Sequence, residues 1–102
     1  GANQIVEFNP TIALPSSLTE LYLYDNQIIT FNPTIALPSS LTILDLGVNQ
    51  MTLAGYTASE AWASAQPSFT NSCNVYFYSN IDSISGTNLE AILITKNCNI
   101  IA

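Results

Sequence analysis

Two cysteines, two glutamates in similar settings and five tyrosines are the side chains best suited to chemistry here, and no histidine stands with them. Without histidine there is no Ser-His-Asp or Cys-His arrangement and no Cys/His zinc cluster. Glu60 and Glu90 invite reading as a catalytic carboxylate pair. Each, however, closes a Thr-x-x-Glu run, Thr57 to Glu60 and Thr87 to Glu90. That spacing is a helix capping box, in which both side chains satisfy free backbone N–H groups. Asp82-Ser83-Ile84-Ser85-Gly86 offers oxygen atoms but lacks the spacing of a calcium loop, so it reads as a turn. Asn9-Pro10-Thr11 and Asn32-Pro33-Thr34 have the outline of glycosylation sites, which the central proline excludes. The expectation is a non-enzymatic protein with no catalytic residue, no metal and no cofactor.

The elements that must position the remaining candidates follow from a repeat. The twelve residues FNPTIALPSSLT starting at Phe8 recur 23 residues later, starting at Phe31. Asn3-Gln4-Ile5, Asn26-Gln27-Ile28 and Asn49-Gln50-Met51 keep the same step. Within it lie Leu18-x-x-Leu21-x-Leu23-x-x-Asn26-x-Ile28 and Leu41-x-x-Leu44-x-Leu46-x-x-Asn49-x-Met51. Alternating leucines predict short strands, with Leu21, Leu23, Leu44 and Leu46 pointing inward. The return segment Phe31–Pro38 is too irregular and proline-bearing for a long helix. Phe8, Phe31, Ile12 and Ile35 are expected to form a second apolar column.

This pattern resembles the leucine-rich repeat at every defining position, and the Leu14–Leu18 and Leu37–Leu41 LPSSL runs resemble its bacterial LP-x-x-L subclass. The resemblance implies an α/β solenoid with a short parallel sheet, an irregular convex side and a binding function. It also implies that Asn3, Asn26, Asn49 and Asn80 form a ladder, their amides satisfying backbone groups of neighbouring turns. In style the chain is similar to surface proteins of Bacteroidetes bacteria and their phages, which implies an extracellular or virion-surface location. A phage fibre or tail protein or a bacterial adhesin fits that setting.

After residue 56 the repeat loosens. Val75-Tyr76-Phe77-Tyr78-Ser79-Asn80 imitates Leu21-Tyr22-Leu23-Tyr24-Asp25-Asn26, and the insert between is expected to be helical from Thr57, with Ala58, Ala61, Trp62 and Ala65 on its inner face. A second helix is expected from Thr87 to about Thr95, with Leu89, Ile92 and Leu93 inward. Cys98-Asn99-Ile100-Ile101-Ala102 mirrors Cys73-Asn74-Val75-Tyr76-Phe77 and predicts a last strand. Residues 1–56 thus read as repeats, the first incomplete, and 57–102 as a long atypical repeat and cap. Gly1 starts at the exit of a repeat whose strand is missing, so upstream repeats or another subunit are expected at that edge.

On this plan the outward face of the sheet carries three columns: Glu20, Ile43, Asn74 and Asn99; Tyr22, Asp45, Tyr76 and Ile101; Tyr24, Gly47 and Tyr78. Four tyrosines around a small gap at Gly47, with carboxylates nearby, form a candidate surface for a protein or glycan receptor. Its alternative is cross-strand stabilisation of the sheet. Cys73 and Cys98 fall on adjacent strands about 4.8 Å apart, within reach of a disulfide. Two half-buried free thiols are the other reading, because a bond straight across parallel strands needs awkward side-chain angles.

Composition narrows the partners. Net charge is −6 and Lys96 is the single basic residue, so nucleic acid and anionic lipid are not expected ligands. No apolar run approaches the roughly 20 residues needed to span a bilayer. Hydrophobic residues make up 48 % of the chain, enough to fold around a core.

Overall fold

The computed structural model describes residues 3–102. Four short strands, β1 (Glu20–Tyr22), β2 (Ile43–Asp45), β3 (Cys73–Tyr76) and β4 (Cys98–Ile101), form one parallel sheet in chain order. Leu21 lies opposite Leu44, Leu44 opposite Val75, and Val75 opposite Ile100. Parallel strands need long crossovers. An irregular segment makes the first, helices α1 (Leu53–Ala58) and α2 (Glu60–Ala65) the second, and α3 (Asn88–Thr95) the third. The product is a small α/β domain measuring 30 × 29 × 20 Å.

Pairing continues beyond the strand ends. Leu23 N donates to Asp45 O at 2.8 Å, Leu46 N to Tyr76 O at 2.8 Å, and Phe77 N to Ile101 O at 2.8 Å. The chain then turns at Asp25, Val48 and Ser79, whose φ angles are 60°, 52° and 55°. Each occupies the residue just before a repeat asparagine, so one left-handed residue makes the corner in every turn. Leu41, Leu44, Leu46, Met51, Val75 and Leu93 are fully buried between the sheet and the crossovers. Phe8 stacks on Phe31 with centroids 5.9 Å apart. Ile12 does not join them; it is 76 % exposed.

The first helix differs from expectation. It begins at Leu53, capped by Thr52, whose Oγ1 accepts Gly55 N at 3.1 Å, while Asp82 Oδ2 accepts Leu53 N at 2.9 Å. Two side-chain acceptors therefore satisfy the helix start before Thr57 is reached. Thr57 sits inside α1 and donates back to Leu53 O, so the Thr57–Glu60 box does not form. The inward face is also different. Ala58, Ala61 and Ala65 are exposed, whereas Tyr56, Ser59, Trp62, Ala63 and Gln66 are buried. Two of those buried positions are polar, and each has a backbone to satisfy. Ser59 Oγ accepts Phe31 N at 2.8 Å and donates to Gly55 O at 2.7 Å. Gln66 Oε1 accepts Leu37 N at 2.8 Å while its Nε2 donates to Leu37 O at 2.9 Å.

Helix α3 starts where the sequence places it. Thr87 Oγ1 accepts Glu90 N at 3.2 Å, and Glu90 Oε1 reaches back to Gly86 N at 2.9 Å, one residue outside the usual box. Leu89 and Leu93 are buried and Ile92 is half-buried. Two further asparagines tie the crossovers together: Asn9 Oδ1 accepts Thr34 N at 2.9 Å, and Asn32 Oδ1 accepts Trp62 N at 3.0 Å.

Candidate functional site

The pleat sends alternate side chains to opposite faces. Tyr22 is in register with Asp45 and Asp45 with Tyr76, which places the carboxylate between two phenols. Tyr22, Tyr24 and Tyr78 are 51 %, 49 % and 36 % exposed, and Tyr76 is half-buried. The rings pair edge-on within each strand, Tyr22 with Tyr24 at 6.4 Å and 90°, Tyr76 with Tyr78 at 6.3 Å and 84°. Tyr22 OH donates to Glu20 Oε1 at 3.0 Å. Asn99 Nδ2 donates to Asn74 Oδ1 at 3.3 Å along the neighbouring column.

Two details depart from the sequence expectation. Asp45 is buried, its Oδ1 accepting Gly47 N at 2.9 Å and its Oδ2 lying 3.4 Å from Tyr78 OH. The gap at Gly47 is filled: the Tyr78 ring lies across it, so close that a Cβ there would come within 2.5 Å of the ring carbons. A glycine at this point therefore lets a tyrosine two strand positions along from Tyr76 lie flat on the sheet.

The carboxylates set the electrostatics of the face. The hydrogen bond to Glu20 raises the Tyr22 phenol above its ordinary value, helped by partial burial and by the charges of Glu20 and Asp45. Burial raises Tyr78 in the same direction, followed by the charge and hydrogen bond of Asp45. Away from the face, burial pushes Tyr56 up to about 12, with the charge of Asp82 adding to it, and its hydroxyl donates to Asp82 O at 2.7 Å.

Beneath the face the repeat asparagines bind backbone groups. Asn49 is the most fully engaged: Nδ2 donates to Leu23 O, Leu46 O and Gly47 O at 3.0–3.1 Å, and Oδ1 accepts Ile28 N at 3.0 Å. Asn80 donates to Leu46 O and Phe77 O and accepts Met51 N. Asn26 donates to Leu23 O and Tyr24 O and accepts Ile5 N. Asn3 is exposed, with its backbone N–H bonded to Asp25 O at 2.9 Å.

Cys73 and Cys98 are opposite each other in the β3–β4 register, as two buried free thiols. Donation to Cys73 raises the Cys98 thiol, and burial raises it further. The same hydrogen bond lowers Cys73 against the effect of burial. Beside β1 lies an open cleft of about 700 Å³, lined by Asn3, Gln4, Ile5, Tyr22, Tyr24 and Asn26.

No family model, curated protein sequence or solved structure matches the chain. Among the described residues no group of three or more His, Cys, Asp or Glu side chains is placed to hold a metal ion, and no helix is long and apolar enough to cross a membrane. Sequence reasoning set Asn9 and Asn32 aside as excluded glycosylation sites and passed over Ser59 and Gln66. Asn9 and Asn32 carried a usable signal, since Asn-Pro-Thr recurs in both at the repeat step. Ser59 and Gln66 carried none, because nothing in their types distinguishes a buried polar side chain from an exposed one.

Proposed function

We propose that this chain is a leucine-rich-repeat module that binds rather than catalyses, displayed on an extracellular or virion surface. A phage fibre or tail, or a bacterial adhesin, is the setting that suits it, and a protein or glycan receptor lies on the tyrosine face. The observation that carries this reading is the outward cluster of Tyr22, Tyr24, Tyr76 and Tyr78 on one continuous sheet face. A phenol presents a flat apolar body and a polar tip, which suits a partner surface at low entropic cost. Support for the repeat assignment comes from the 23-residue step, the in-register Leu21 and Leu44, and the backbone bonds made by Asn26, Asn49 and Asn80. Replacing the four tyrosines with serine tests the reading. Attachment of the parent particle or cell should be lost while the fold, followed by circular dichroism, is kept. Undiminished attachment would sink it.

A second reading is structural. β1 sits at the edge of the sheet order, and Ile5, Val6 and Ile12, which precede it in the chain, are exposed. An edge of this kind is a template for a further strand, from another subunit or an adjoining repeat. Light scattering measures it: self-association or capture of the parent subunit supports docking at β1, and a monomer indifferent to that subunit refutes it.

A further inference from the structure

We propose that the group seated on the tyrosine face is the guanidinium of an arginine side chain from a protein partner. The inference rests on the binding-face reading above and names the chemistry of its ligand. Three observations converge on it.

First, Tyr22 and Tyr76 flank Asp45 in register, so their backbones are two strand spacings apart, about 10 Å. The two rings thus stand on one face with the β2 strand between them, and a ring face attracts a cation within roughly 6 Å of its centroid. Second, the charge is one-signed. Asp45 lies buried on the strand between Tyr22 and Tyr76, where it acts through its charge, and Glu20 stands exposed at the rim, bonded to Tyr22. The chain's one basic residue, Lys96, is occupied elsewhere, its Nζ donating to Ser64 O at 3.0 Å. Among the described residues the carboxylates of this face therefore meet no cationic side chain. The Tyr22 phenol is raised first by its hydrogen bond to Glu20 and the Tyr78 phenol first by burial, with the charge of Asp45 adding to both. Third, both tyrosine pairs are perpendicular, at 90° and 84°. A perpendicular pair makes a corner and not the broad flat shelf on which a sugar ring stacks. A planar guanidinium fits a corner, with one face on a ring and its N–H edge free for a carboxylate or phenol oxygen. Lysine would share the charge but not the planar stacking.

The test uses the tyrosine ring resonances in NMR. The probe is a short glycine-serine peptide carrying several arginines, compared with the same peptide carrying the uncharged isostere citrulline and with a neutral chitooligosaccharide. Expected is movement of the Tyr22, Tyr24, Tyr76 and Tyr78 signals with the arginine peptide, at an affinity about tenfold above the citrulline peptide and weakened by salt. The Glu20→Gln variant and the Glu20→Gln, Asp45→Asn double variant should bring arginine down towards citrulline. Glu20 is exposed, so its single replacement leaves the fold intact even where the double one does not. Equal binding of citrulline, or preferential binding of the oligosaccharide, at the same tyrosines overturns the arginine inference and leaves the binding face standing. Silence of all four signals towards the arginine peptide also overturns it, and the tyrosine-to-serine attachment experiment then decides the wider reading separately.

Discussion

Replacing Gly55 with alanine should destabilise the protein although helix propensity alone predicts the reverse. Gly55 lies within α1, where an alanine normally gains about 0.8–1 kcal/mol over glycine. A Cβ at this position, however, would lie 2.0 Å from Ile29 O, a backbone atom that no rotamer change moves aside. Real Cβ contacts stay beyond 3.0 Å, so α1 must retreat by roughly 1 Å. Forced displacement of a packed element costs about 1–3 kcal/mol. The same retreat stretches the bonds of Ser59, which holds Phe31 N and Gly55 O in the buried interior. An unsatisfied buried group there adds about 1–3 kcal/mol. After the propensity gain, the net loss is about 3 kcal/mol, or roughly 15 °C in Tm for a domain of this size. Urea unfolding followed by Trp62 fluorescence measures it, with the midpoint falling at unchanged m. Ala54→Gly, at the exposed neighbouring position, is the control and should cost only about 1 kcal/mol. A Gly55→Ala midpoint at or above that of the parent would refute the packing argument.

Three further outcomes follow from the same geometry. Asn49→Ala leaves the buried Ile28 N without its partner and takes one of two donors from each of three carbonyls, and should cost about 2–3 kcal/mol in urea unfolding, whereas Asn26→Ala, which frees the N–H of the exposed Ile5, costs less. Val48→Asn should stabilise by about 1 kcal/mol, because a β-branched residue is held at φ 52° where asparagine is tolerated; a lower thermal midpoint would contradict this. Tyr56, whose folded pKa is raised from 10.0 to about 12, contributes stability that is whole below pH 10 and is lost as pH climbs towards 12. Tyr56→Phe should therefore flatten the fall of Tm across that window, and an unchanged slope would assign alkaline unfolding to other groups.

The sheet was legible because its determinants are local and repeated. Leu21 and Leu44, Asn26 and Asn49, and the Cys73 and Cys98 segments announce strand, corner and register through spacing alone. The expected tyrosine columns followed from the same pleat. Of the two acceptors that start α1, Thr52 is a local cap that the Thr57 box drew attention from, and Asp82, 29 positions from Leu53, was not legible. Nor was the inner face of α2, since hydrophobic periodicity looks for apolar residues and this face is built on Ser59 and Gln66. The burial of Asp45 depended on where Tyr78 lies, and its pattern position gave only an outward direction.

Gln66 and Ser59 meet the crossover through main-chain atoms, the N–H and C=O of Leu37 and the N–H of Phe31. These contacts are indifferent to which side chains the crossover carries. Any unit that keeps the same backbone path offers the helices the same polar groups, much as a socket accepts any plug with the right pin spacing. Through Ser59 and Gln66 the helices are matched to a curve of the chain, while Asn32 and Phe31 add the side-chain contacts, to Trp62 N and to the Trp62 ring. Substitutions on the outer side chains of the crossover, at Thr34 or Ala36 for example, can accumulate without breaking that seal.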